Sequence, residues 1–199
     1  DDTIGIQRLG VLGYPSPIAK ENVEAVKKIT GLGLKAKCQS LASSKADIDC
    51  ALEAGVWGIT IRKPCSNLYS VVFDPVEKKV ADFLVLANYA RQNGVKVGIM
   101  AQDITRAIPE ETEQLLCSIQ DEFGLDEITL TDSQGLGNPF TINYIVRKVK
   151  SWMNVPIAVH CHNMLSMGVA NACAAVAAGA SIVHTTVNGV GHFAGMPPT

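Results

Sequence analysis

The segment His160-Cys161-His162-Asn163 ends a run of strand character, Pro156 to Val159, and opens one of helical character. Side chains alternate along an extended chain, so His160 and His162 share a face while Cys161 points the opposite way, into packing. Two imidazoles about 6 to 7 Å apart along one face can grip a divalent metal at a strand's C-terminal end. The same pair can equally hydrogen-bond within a core, since two ligands do not make a site. Other polar residues follow other strand-like runs: Gln102-Asp103, Asp132-Ser133 and Asn188. His192 reads either as an acid/base, because imidazole titrates near neutrality, or as a hydrogen-bonded loop histidine. His184 shares a face with Thr186 and Asn188, where a satisfied core histidine is expected rather than a ligand. Asp103 with Arg106 forms a site-shaping ion pair, or Asp103 is a helix-start carboxylate favoured by the macrodipole. Asp132 supports a neighbouring ligand or makes ordinary turn chemistry. Lys63-Pro64 and Asn67 read as a solvated loop.

The elements that must position these groups alternate between strand and helix. Strands are expected over Gln7–Leu12, Leu34–Ser40, Gly58–Arg62, Lys96–Ala101, Glu127–Thr131, Pro156–His160 and Ser181–Val187. Amphipathic helices are expected between them over Lys20–Thr30, Asp47–Ala54, Val76–Asn93, Pro109–Phe123, Thr141–Met153 and Ser166–Ala178. Asn93-Gly94, Phe123-Gly124 and Gly179 are helix stops. Such alternation fits an open doubly wound sheet or a (β/α)8 barrel. Gly13-Tyr14-Pro15-Ser16-Pro17 is not the glycine-rich phosphate turn expected of the former. A barrel gathers strand C-terminal ends on one face, and so gathers the polar residues. The expectation is an α/β (β/α)8 TIM barrel, one domain over residues 1–199. Its first strand and last helix would lie outside this chain, a fragment of a longer protein whose first residues resemble the tail of a helix.

Composition sets outer limits. The 199 residues are 47% hydrophobic and 18% charged with a net charge of -2, which removes the electrostatic footing for nucleic-acid binding. No apolar run is long enough to span a bilayer, and no signal peptide is evident. The six cysteines lack CxxC pairs, so buried free thiols in the cytoplasm are expected.

Several segments resemble the DRE-TIM metallolyases, the family of isopropylmalate, homocitrate and citramalate synthases, hydroxymethylglutaryl-CoA lyase and 4-hydroxy-2-oxovalerate aldolase. His160-Cys161-His162-Asn163, then Gly168-Val169-Ala170-Asn171, Ala174-Ala175-Val176 and Ala178-Gly179-Ala180 are similar to the family's metal-binding strand and following helix. Thr186-Val187-Asn188-Gly189-Val190-Gly191, followed by Ala194-Gly195, resembles the TVNGxGxxAG segment of the synthases. Ala101-Gln102-Asp103-Ile104-Thr105-Arg106 resembles AEDxxR, Asp132-Ser133-Gln134-Gly135 resembles DTxG, and Gly13-Tyr14-Pro15 resembles the GYP turn. The motifs run in order with βα spacing. TVNG points to the synthase branch, while Leu165-Ser166 resembles the aldolases.

The resemblance implies a divalent metal (Zn, Mn, Mg or Fe) held by His160 and His162, with a 2-oxo acid chelated to it. In the synthases an acetyl-CoA enolate attacks that polarised ketone; in the lyases the reaction runs toward cleavage. By the same resemblance Ser133 stands where a hydroxyl holds the substrate carboxylate, with Thr186 and Asn188 as further substrate-binding candidates. Gln102, Arg106 and His192 are the catalytic candidates. A 2-oxo acid and an acyl-CoA are the implied partners, and a homodimer the implied assembly.

The chain also departs from the family. Gln102 replaces a Glu and cannot accept a proton at neutral pH. Met164 stands where the family has Asp, and Met196 where some members have a ligating Asn; a thioether is a poor ligand for a hard cation. The DRE motif is absent. Three readings remain open: a synthase, a lyase or aldolase, and a barrel that lost its chemistry and serves binding or regulation.

Overall fold

The computed structural model describes residues 5–13, 18–69 and 74–199. The helix tail read at residues 1–4 and the Tyr14-Pro15 part of the turn motif lie outside the described residues. In chain order the elements are β1 (Arg8–Leu12), α1 (Lys20–Thr30), β2 (Lys37–Ala42), α2 (Lys45–Glu53), β3 (Gly58–Pro64) and α3 (Val76–Gln92). There follow β4 (Lys96–Gln102), α4 (Pro109–Phe123), β5 (Glu127–Asp132), α5 (Pro139–Trp152), β6 (Ile157–Cys161), α6 (Gly168–Ala177) and β7 (Ile182–Val183). Short 3-10 turns occupy Ile104–Arg106 and Val187–Gly189.

Local chemistry explains where the helices begin and end. Ser44 and Asp47 form a reciprocal capping box at the start of α2, satisfying two backbone donors that the helix cannot. Proline occupies the first turn of α4 and of α5, where its missing N–H costs nothing. Asn138 accepts from the Thr141 N–H to cap α5. Strand β5, EITLTD, is buried at every position, the mark of a parallel strand covered on both faces. No described helix is long and apolar enough to cross a membrane.

The chain divides into two compact units, residues 1–62 with 82–98, and residues 63–81 with 99–199. In the first, β1 pairs with β2 and β2 with β3, all parallel, over a core that includes Ile48, Ile59, Ile61 and Phe83. In the second, β5 pairs with β6 and β6 with β7, again parallel, over Ile99, Leu115, Leu116, Ile119, Ile128 and Val146. The register sets Thr131 opposite His160 and Val159 opposite Val183.

One element departs clearly from expectation. The strand expected over Ser181–Val187 is reduced to Ile182–Val183. Beyond His184 the chain turns through Asn188 (φ 55) and Gly189 (φ 70), and Thr186 bridges to Pro198 instead of to β6. The Thr186 N–H donates to the Pro197 carbonyl and the Thr199 N–H to the Thr186 carbonyl, so the terminal segment takes bonds a longer strand would have made.

Candidate metal and substrate site

Strand β6 ends at the site. His160 and His162 project from one face, as alternation requires, while Cys161 on the other face is buried, its thiol pushed up to about 12 by burial first and by Asp132 second. The two imidazoles meet edge to face with Nε2 to Nε2 at 3.3 Å. Two nitrogens each 2.0–2.1 Å from a tetrahedral ion stand about 3.3 Å apart, so this separation fits a shared divalent metal. The His162 Nδ1 lies 2.8 Å from the Ser133 carbonyl oxygen, which can only accept. His162 therefore carries its proton on Nδ1 and presents a lone pair at Nε2, the form a metal ligand needs. Burial holds the pKa of His160 well below the usual imidazole value, with His184 and His162 acting in the same direction. Burial also lowers that of His162, against the opposing bond to Ser133.

The donor set is a pair. Among the described residues, no group of three or more His, Cys, Asp or Glu side chains is arranged to hold a metal ion. His184 sits beside His160, but at its other nitrogen: Nδ1 to Nδ1 is 3.2 Å. The three rings therefore do not converge on one point.

Loops after β4 and β5 support this pair. The Ser133 Oγ accepts from the Asp103 N–H at 2.9 Å, and Asp103 in turn holds Arg106, whose Nε donates to both carboxylate oxygens at 3.0 Å while a terminal nitrogen lies 2.7 Å from Oδ2. Arg106, Asp103, Ser133 and His162 thus form one connected series. The Asp132 carboxylate accepts from Thr105 Oγ1, Leu136 N and Gly137 N, which makes it the organiser of the turn. Gly135, at φ 62, lies so close to His162 and Met164 that a Cβ would come within 2.9 Å of their backbone. Glycine here lets the loop lie against the histidine strand. Asn163 accepts from Gly168 N at the start of α6, and buried Asn171 donates to the Gly137 carbonyl, tying α6 to the same loop.

The remaining candidates are scattered more widely. Gln102 is buried, and its amide donates to the Tyr69 hydroxyl at 3.3 Å. His192 is exposed, with its ring centroid 6.3 Å from that of His162 and 4.1 Å from that of Phe193. The Thr186 hydroxyl is buried and unpartnered among the described residues, whereas Asn188 is exposed on the 3-10 turn and does not share a strand face with Thr186. Asn67 accepts from Lys79 at 3.4 Å. Two features escaped the sequence. Thr131 lies opposite His160 with a buried hydroxyl that has no partner among the described residues, a position that alternation from Ser133 would have disclosed. Tyr69 has no motif around it and left no signal.

The HMGL-like family profile matches residues 2–199. The homocitrate synthase AksA of Methanosarcina mazei is 34% identical over 199 residues, covering 98% of this chain and 48% of that protein. A probable 2-isopropylmalate synthase of Archaeoglobus fulgidus is 34% identical over 197 residues, covering 96% of this chain and 39% of that protein. This chain thus spans about half the length, or less, of these relatives. The crystal structure of the Bacillus subtilis HMG-CoA lyase superposes with a TM-score of 0.82 at 16% identity, over 95% of this chain and 67% of that one. The fold is accordingly the α/β TIM-barrel type. With this profile match over almost every residue, and the paired histidines at the end of β6, the chain belongs to the HMGL-like, or DRE-TIM, family.

Proposed function

We propose that this chain carries the metal-holding part of an enzyme that condenses acetyl-CoA with a 2-oxo acid. The observation that carries the reading is the 3.3 Å Nε2 pair of His160 and His162, with His162 fixed in the ligating tautomer by Ser133. His160 and His162 would hold a divalent ion, which when bound would supply Lewis acidity to a 2-oxo acid. Two nitrogen donors favour Zn, Mn or Fe(II) over Mg.

The protein's own groups divide the remaining work. The Ser133 Oγ already accepts from Asp103 N, which leaves its O–H to donate to a substrate carboxylate. The Thr186 hydroxyl and the Asn188 side chain offer further polar contacts on the loop after β7. Arg106 is held in place by Asp103 and would offer its remaining N–H groups to an anionic substrate group. Gln102 lacks a basic oxygen at neutral pH and acts as an orienting group with Tyr69. Proton transfer then falls to His192, which is exposed with its ring 6.3 Å from that of His162. A homodimer working in the cytoplasm completes this reading.

A lyase is the second reading, favoured by the fold likeness to an HMG-CoA lyase. A barrel without chemistry is the third, favoured by Gln102, Met164 and Met196. Elemental analysis of the purified protein, together with assay of CoA release from acetyl-CoA over a panel of 2-oxo acids, separates them. The expected result is about one divalent metal per chain, lost in the H160A/H162A variant, with CoA released for one class of 2-oxo acid. Cleavage of a 3-hydroxyacyl-CoA without condensation would favour the lyase. No metal bound, and none taken up on addition, would overturn both enzyme readings.

A further inference from the structure

The reading of His160 and His162 as ligands leaves His184 without a role. Its backbone N–H donates to the Val159 carbonyl at 2.9 Å, continuing the β6–β7 register by one residue past β7. That register carries the His184 ring to the same face as His160, where the two lie nearly perpendicular with centroids 5.4 Å apart and Nδ1 atoms 3.2 Å apart. A metal ligand bound through Nε2 keeps its proton on Nδ1, and that N–H needs an acceptor to hold ring orientation and tautomer. Ser133 O fills this place for His162. No described carbonyl or carboxylate is paired with the His160 Nδ1; the group within hydrogen-bonding distance is the His184 Nδ1.

We propose that His184 is a positioning residue for the metal site, its Nδ1 accepting from the His160 Nδ1–H and thereby selecting the tautomer in which His160 presents its Nε2 lone pair beside that of His162. The inference rests on the proposed metal role of the pair. It carries a consequence for the metal-free protein. There the His162 Nε2 already presents a lone pair, so the 3.3 Å contact is a hydrogen bond only if His160 donates from Nε2. His160 then accepts at Nδ1, and His184 donates. Loading the site therefore exchanges the tautomers of His160 and His184 with every ring neutral and no net proton released by the pair.

Cobalt(II) serves as the probe, titrated into wild type, His184→Phe and His184→Asn and followed by its visible ligand-field absorption. His184→Phe removes the acceptor and is expected to weaken Co(II) binding by about 10–100-fold. His184→Asn retains an acceptor oxygen and is expected to recover most of that loss. Equal affinity in wild type and a folded His184→Phe, judged by circular dichroism and melting, would overturn the inference while leaving the metal site standing. Absence of Co(II) binding in wild type would overturn the metal reading and this inference with it. A second measurement needs no variant: long-range proton–nitrogen NMR of the His160 ring with and without Zn(II). Movement of the His160 proton from Nε2 to Nδ1 on loading is expected. A ring that keeps its Nε2 proton, or that ligates through Nδ1, would overturn the proposal.

Discussion

At the scale of single residues, burial acts on His160 with a consequence for stability. Its pKa lies well below the ordinary imidazole value of 6.5, chiefly because burial disfavours the cation. An unfolded chain regains the ordinary value, so between the two the unfolded state binds a proton that the folded state refuses. Stability is then fully present above pH 6.5 and is lost as pH falls toward the folded value, with a limiting slope of about 1.4 kcal/mol per pH unit for one such group. His162 shifts in the same direction and adds to the loss. Thermal melts of metal-free protein from pH 7.5 to 5 are expected to show wild type losing stability more steeply than His160→Gln. Parallel profiles would contradict the assignment. The pairing of these two histidines is legible in the sequence because alternation along a strand is a rule with few exceptions. The partner at Nδ1 is less so: His184 reads as a core histidine until the register of β6 with β7 is known, and register is a property of two strands together.

At the scale of elements, the loop after β7 shows why the last strand is the one misjudged. Thr185, Thr186 and Val187 all favour extended backbone, and nothing in their side chains signals a stop. The stop comes from residues 188 to 195, where Asn188, Gly189, Phe193, Ala194 and Gly195 all take positive φ. The ends of α4 fall where expected because their signals are local, Pro109 at its start and Gly124 at its end. Within the loop Gly195 is the pivotal position. It sits at φ 75, its carbonyl accepts from Asn163 N at 3.0 Å, and a Cβ there would overlap the Gly189 carbonyl oxygen. Gly195→Ala is therefore expected to release the loop from Asn163, at a cost of about 1–2 kcal/mol from the left-handed backbone alone. Gly191→Ala, where a Cβ meets nothing closer than 3.5 Å, is expected to be tolerated. Hydrogen exchange at the Asn163 amide distinguishes the two: faster in the first variant and unchanged in the second. Equal protection in both would show that the loop is held by something other than this close approach.

For the molecule as a whole, the open matter is whether residues 1–199 behave as one domain. Contacts divide the chain into two compact units, yet each division falls inside an element: between residues 62 and 63 in β3, between 81 and 82 in α3, and between 98 and 99 in β4. Breaking one unit while keeping the other would fray all three elements partway along, losing backbone hydrogen bonds on both sides of each break. That cost favours unfolding in one step. The chain supplies its own reporters, with Trp57 in the first unit beneath the Arg8 guanidinium and Trp152 at the end of α5 in the second. Urea unfolding followed by fluorescence in Trp57→Phe and in Trp152→Phe reads each unit separately. Coincident midpoints and slopes, matching the loss of far-ultraviolet circular dichroism, are the expected outcome for one cooperative domain. A first transition confined to Trp57, leaving Trp152 and the His162–Ser133 bond intact, would instead make the site-bearing unit independently stable. That result would place the His160–His162 pair on a structure that holds without residues 1–62 and 82–98.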